Sequence, residues 1–103
     1  MDFIDSIENN HFIEAHEILE RSWKQLKIEA HPEEARLQKG LINGATAIGL
    51  HAQKARPEAA KKLWDAYTRK YRPLILAATD VAHAEQYREA AGILDEKWGI
   101  IGY

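Results

Sequence analysis

The sequence predicts an all-α fold, an antiparallel helical bundle of about four to five helices, and three observations predict it. The chain of 103 residues holds 16 alanines and a single valine, Val81; alanine is the best helix former, and valine is among the residues strands prefer. Apolar residues recur at three- and four-residue spacing through most of its length, the period of a helix with one buried face. Pro32, Pro57 and Pro73 fall where helices open or bend. With 46% hydrophobic residues and 29% charged ones, one globular domain over residues 1–103 is expected.

In chain order, Asp2 is a plausible N-cap, and Phe3, Ile4 and Ile7 form a short amphipathic segment. Asn9-Asn10 interrupts it, because asparagine tolerates the left-handed conformation that ends a helix. From about His11 to Leu26 a long helix is expected, with Phe12, Ala15, His16, Leu19, Trp23 and Leu26 on one stripe. Pro32 ends the connection that follows and opens a second long helix to about Lys54, with Glu33 and Glu34 complementing its N-terminal dipole. This helix is nearly apolar from Leu41 to Leu50, which marks it as central. Gly40, Gly44, Ala47 and His51 share a stripe of mostly small residues that permits close approach of a neighbour.

Pro57 opens a third helix with Ala60, Leu63, Trp64, Tyr67 and Tyr71 inward. Pro73 kinks or ends it, so Leu74 to Ala78 either continue at an angle or start afresh. Asp80 is the expected cap of a last helix carrying Tyr87, Ala91, Leu94 and Trp98, which Gly99 would stop. Ile100 to Tyr103 remain as an apolar tail that docks on the body or meets a partner. Trp23, Trp64 and Trp98 read as core anchors.

Several classes of function are excluded or disfavoured. Without cysteine there is no disulfide, thiolate catalysis or cysteine-ligated zinc, and a cytoplasmic location is expected. No apolar run approaches the roughly 18 residues of a membrane span, and Met1-Asp2-Phe3 begins no secretory signal. The net charge of −2 offers no general attraction to nucleic acid or anionic lipid, so neither is the expected partner. Charge is nonetheless segregated: residues 1–35 carry nine acidic and three basic side chains, residues 54–72 seven basic and two acidic. The simplest expectation is that the acidic first long helix faces the basic third, within a chain or across a dimer.

One polar cluster stands inside the apolar pattern. His16 is expected near the middle of the buried stripe, between Phe12, Leu19 and Trp23, with Glu20 one turn later at its edge and Glu17 about 100° away. Antiparallel packing of the next helix would bring His51, with Asn43 nearby, toward His16. Three readings follow. These side chains form a buried hydrogen-bond network; or His16, Glu20 and His51 bind a divalent metal, since imidazole plus carboxylate suits zinc, iron or manganese; or a Glu–His pair serves as a general base. His-Glu-x-x-Glu is not the zinc-protease His-Glu-x-x-His. Ser6 and Ser22 lack a nucleophile's context, and His11, His31 and His83 read as surface or cap residues.

The run Ile13-Glu14-Ala15-His16-Glu17-Ile18-Leu19-Glu20 with Trp23, followed by Gln38-Lys39-Gly40-Leu41-Ile42-Asn43 and then Ala45, Ala47 and His51, resembles the prokaryotic domain-of-unknown-function family 309 over roughly residues 7–75. The resemblance implies a small helical bundle with His16, Glu17, Glu20, Asn43 and His51 as signature positions, and it carries no activity. Asn10 stands where the family has glycine, Asn43 where it has glutamine, and Ala55-Arg56-Pro57 replaces a Gly-Asn turn. The expected function is a structural or self-association module, a homodimer; the alternative is a metal-binding protein or metal-dependent enzyme using His16, Glu20 and His51.

Overall fold

The computed structural model describes residues 2 to 101, leaving aside the side chain of Asp2. Its helices are α1 (Asp2–Glu8), α2 (Phe12–Ile28), α3 (Pro32–Ala52), α4 (Pro57–Ala66), a π-helical turn (Tyr67–Tyr71), α5 (Arg72–Ala77) and α6 (Ala84–Ile100). No strand occurs among the described residues. The expected capping role of Asp2 and the end of the tail, Gly102 and Tyr103, lie outside the described residues.

Helix boundaries follow local chemistry. Asn10 adopts φ 64°, and the bonds from His11 N–H to the Ser6 carbonyl (2.8 Å) and from Asn10 N–H to the Ile7 carbonyl (3.2 Å) close α1 as a Schellman motif. The same pair of bonds ends α2, from His31 to Leu26 and from Ala30 to Lys27, with Ala30 at φ 61°. Pro32 and Pro57 then occupy the first turns of α3 and α4, where a missing N–H leaves no bond unmade.

Pro73 bends the third helical stretch without breaking it. Its ring would strike the carbonyl four residues back in an α-helix, and the chain widens just before it: the Arg72 N–H bonds to the Tyr67 carbonyl, five residues away. Leu74 to Ala77 therefore continue the same helical path as α5. The last helix corrects two expectations. Asp80 does not cap it; α6 starts at Ala84, after His83 in the left-handed region (φ 65°). Gly99 does not stop it, since the helix runs on to Ile100 with the Ile101 N–H bonded to the Lys97 carbonyl. A glycine ends a helix where a left-handed residue is needed, and no such turn occurs at Gly99.

Packing centres on α3, as its apolar run predicts: α2, α4, the π turn, α5 and α6 all lie against it. The pairs Ser22–Gln38 and Phe12–Gly49 show α2 antiparallel to α3. Tyr71 against Gly40 and Tyr67 against Gly44 show the π turn running antiparallel on another side. Tyr87 against Gln38 and Leu94 against Gly44 place α6 parallel to α3. The core gathers Phe3, Ile7, Phe12, Leu19, Leu41, Ile48, Tyr67, Ile75, Tyr87 and Leu94. None of the ion pairs among the described residues joins α2 to α4. Their opposite charges therefore do not meet within the chain, because each helix packs on α3 and not on the other. No helix among the described residues is long and apolar enough to cross a membrane.

Candidate functional site

The buried line of α2 runs through Phe12, Ala15 and Leu19, which places His16 at its edge rather than its middle. His16 Nε2 lies 2.9 Å from Glu20 Oε2, and the two side chains remain 31% and 36% exposed. Glu20 Oε1 is also 3.3 Å from Lys24 Nζ, so His16, Glu20 and Lys24 form a ladder at four-residue spacing along one helix. Glu17 is exposed and Asn43 half-buried. His51, half-buried, meets the edge of Trp98 with ring centroids 6.2 Å apart at 73°.

The five positions are therefore not gathered into one buried cluster, and the glycines explain why. The small-residue stripe predicts that Gly40 and Gly44 draw α2 close, but that stripe faces the π turn: a Cβ on Gly40 would stand 2.4 Å from Tyr71 Cβ, and one on Gly44 3.2 Å from the Tyr67 ring. Gly49, off that stripe, is the glycine that meets α2, at Phe12 and Ile13. His51 shares the Gly40–Gly44 stripe and so turns toward Trp98. The α2–α3 register sets His16 opposite about residue 45, leaving His51 about six residues further on, roughly 9 Å along the axis. Among the described residues no three His, Asp or Glu side chains come close enough to share a metal ion.

The structure instead assembles a polar chain across three helices. Gln38, only 3% exposed, donates from Nε2 to Ser22 Oγ on α2 (3.0 Å) and to the Tyr87 hydroxyl on α6 (2.9 Å). The Tyr87 hydroxyl in turn donates to Glu34 Oε2, which also lies 3.3 Å from His83 Nδ1. Glu34 and Gln38 are one turn apart on α3 and face α6 together. Burial pushes the Tyr87 phenol well above its ordinary range, the hydrogen bond to Glu34 adds to this, and the bond from Gln38 opposes it. A charged phenolate there would lose solvent and meet a carboxylate, so the hydroxyl stays protonated and donates. Gln38 Oε1 is buried without a hydrogen-bond partner among the described residues.

A second buried phenol sits beside the π turn. The Tyr67 hydroxyl has no hydrogen-bond partner among the described residues, and burial first, then the nearby Asp95 carboxylate, pushes its pKa upward against the pull of Arg72. Arg72 Nε spans both Asp95 oxygens at 3.1 and 3.0 Å, joining α5 to α6.

Sequence reasoning missed the Gln38 chain, although a signal for it existed. Gln38 interrupts the stripe of Ala35, Leu41, Ile42 and Ala45 as His16 interrupts that of α2. Its partner Tyr87 is 49 residues away, and no local pattern announces that pairing.

Known proteins supply one point of comparison. No curated protein and no solved structure matches the chain. A family model described as "Domain of unknown function (DUF309)" matches residues 1–63, which include His16, Glu17, Glu20, Asn43 and His51 as well as Ser22, Glu34 and Gln38. On that match, over more than half its length, the chain belongs to the DUF309 family.

Proposed function

We propose that this chain is a non-catalytic helical module that associates with a second copy of itself, its buried polar chain fixing how the helices dock. The observation that carries the reading is the destination of its polar atoms. The Ser22 hydroxyl, the Gln38 amide, the Tyr87 hydroxyl and the Glu34 carboxylate form one chain of hydrogen bonds across α2, α3 and α6, an arrangement that favours one helix register over others. Self-association is supported by the end of α6. Ile100 is 77% exposed there, and Trp98, stacked at 4.7 Å on Trp64, walls an open groove of about 620 Å³.

Light scattering on the full chain at micromolar concentration tests this: a dimer is expected, reduced to a monomer by deletion of residues 100–103, and a monomeric full chain contradicts it. The alternative reading is a divalent-metal site: of the residues expected to hold the ion only His16 and Glu20 lie together, 2.9 Å apart, and a metal there would have to complete its ligand set without His51. Elemental analysis of untagged protein decides it. Stoichiometric metal, lost in His16→Ala, would replace the non-catalytic reading.

A further inference from the structure

A groove between α2, α3 and the π turn has a chemistry that the polar chain does not use. About 550 Å³ in volume, it is lined by Lys27, Arg36, Lys39 and Lys70, all exposed, and by the half-buried rings of Trp23 and Tyr71. Among the described residues no acidic side chain lines it, and none of the four cations is in an ion pair. Lys27 Nζ and Lys39 Nζ lie 4.5 and 5.0 Å from the Trp23 ring centroid, and Lys70 Nζ lies 5.9 Å from that of Tyr71. The ammonium groups therefore rest on aromatic faces, an interaction weaker than a charge-assisted bond to phosphate.

From this convergence we infer that the groove binds a nucleoside polyphosphate, its phosphates held by the lysines and Arg36 and its base against an aromatic ring. Four cations without ion pairs around one cavity raise the local potential and match a compact ligand of several negative charges. Two partly open rings supply what a phosphate chain alone does not need: a flat face on which a base stacks. A long polyanion fits less well, because the chain as a whole carries −2, with nine acidic residues among its first 35. The inference stands apart from the self-association proposal, since the groove and the end of α6 have no residue in common.

Titration calorimetry on the full chain tests it with adenosine triphosphate, inorganic tripolyphosphate and a short oligothymidylate as probes. Adenosine triphosphate is expected to bind saturably, and tripolyphosphate about tenfold or more weakly, the difference being the stacked base. Lys39→Gln and Lys70→Gln should each weaken the nucleotide by about tenfold, while Lys54→Gln, near the far end of α3, leaves it unchanged. All three lysines are exposed, so these variants keep the fold. No saturable binding, equal binding of tripolyphosphate, insensitivity to both groove variants, or oligothymidylate binding more tightly than the nucleotide would each overturn the proposal.

Discussion

His16 and Gln38 illustrate how far one residue's chemistry is decided by its position on a helix. Both interrupt apolar stripes, yet His16 stands at the edge of its stripe and reaches Glu20 on its own helix, while Gln38 stands inside and reaches two other helices. A carboxylate–imidazole pair left about a third exposed is screened by water and contributes little. His16→Ala and Glu20→Gln are therefore expected to lower stability by no more than about 0.5 kcal/mol each in urea unfolding. A loss of several kcal/mol would show that the pair is held more tightly than its geometry indicates. The sequence pattern marks His16 correctly as an anomaly on the α2 stripe. It does not show that the stripe's buried line runs toward Ala15, because that depends on where neighbouring helices lie.

Among the elements, the glycines of α3 and the π turn are one feature. The widened turn before Pro73 carries Tyr67 and Tyr71, whose side chains press on Gly44 and Gly40. Gly40→Ala would bring a methyl group within 2.4 Å of Tyr71 Cβ, and overpacking of this kind should destabilise by about 3 kcal/mol. Gly92 gives the opposite expectation. It lies within α6, and a methyl group added there would meet nothing within 4 Å, so Gly92→Ala should stabilise by about 0.5–1 kcal/mol, read as a rise in Tm. Helix existence is legible throughout because apolar periodicity, proline positions and Asn10 are local signals. The start of α6 is not: His83 takes a left-handed conformation while its ring meets Glu34, a contact 49 residues away in sequence.

For the whole molecule, the two buried phenols set a limit on the alkaline side. Tyr67 and Tyr87 are held protonated above their ordinary range, chiefly by burial. The unfolded chain ionises its tyrosines near pH 10, so stability fully present below about pH 10 is lost as pH rises toward the folded values, by about 1.4 kcal/mol per pH unit for each tyrosine. Phenolate absorbance from Tyr67 and Tyr87 should accordingly appear only as helical circular dichroism is lost. Both tyrosines ionising while the helices persist would contradict the burial described. The bundle and its central α3 can be read from the sequence, whereas the joining of α2, α3 and α6 through one amide cannot, since it exists only once the three helices have docked.

That joining is tested most directly by a double-mutant cycle on Gln38 and Tyr87, measured by equilibrium urea unfolding. Gln38→Ala and Tyr87→Phe should each cost about 2 kcal/mol, the first by removing a fully buried side chain that bonds two helices and the second by leaving a buried Gln38 N–H unsatisfied. The double variant should cost at least about 1 kcal/mol less than the two single losses combined. Strict additivity of the two would show that the amide and the phenol act independently and do not hold the three helices together.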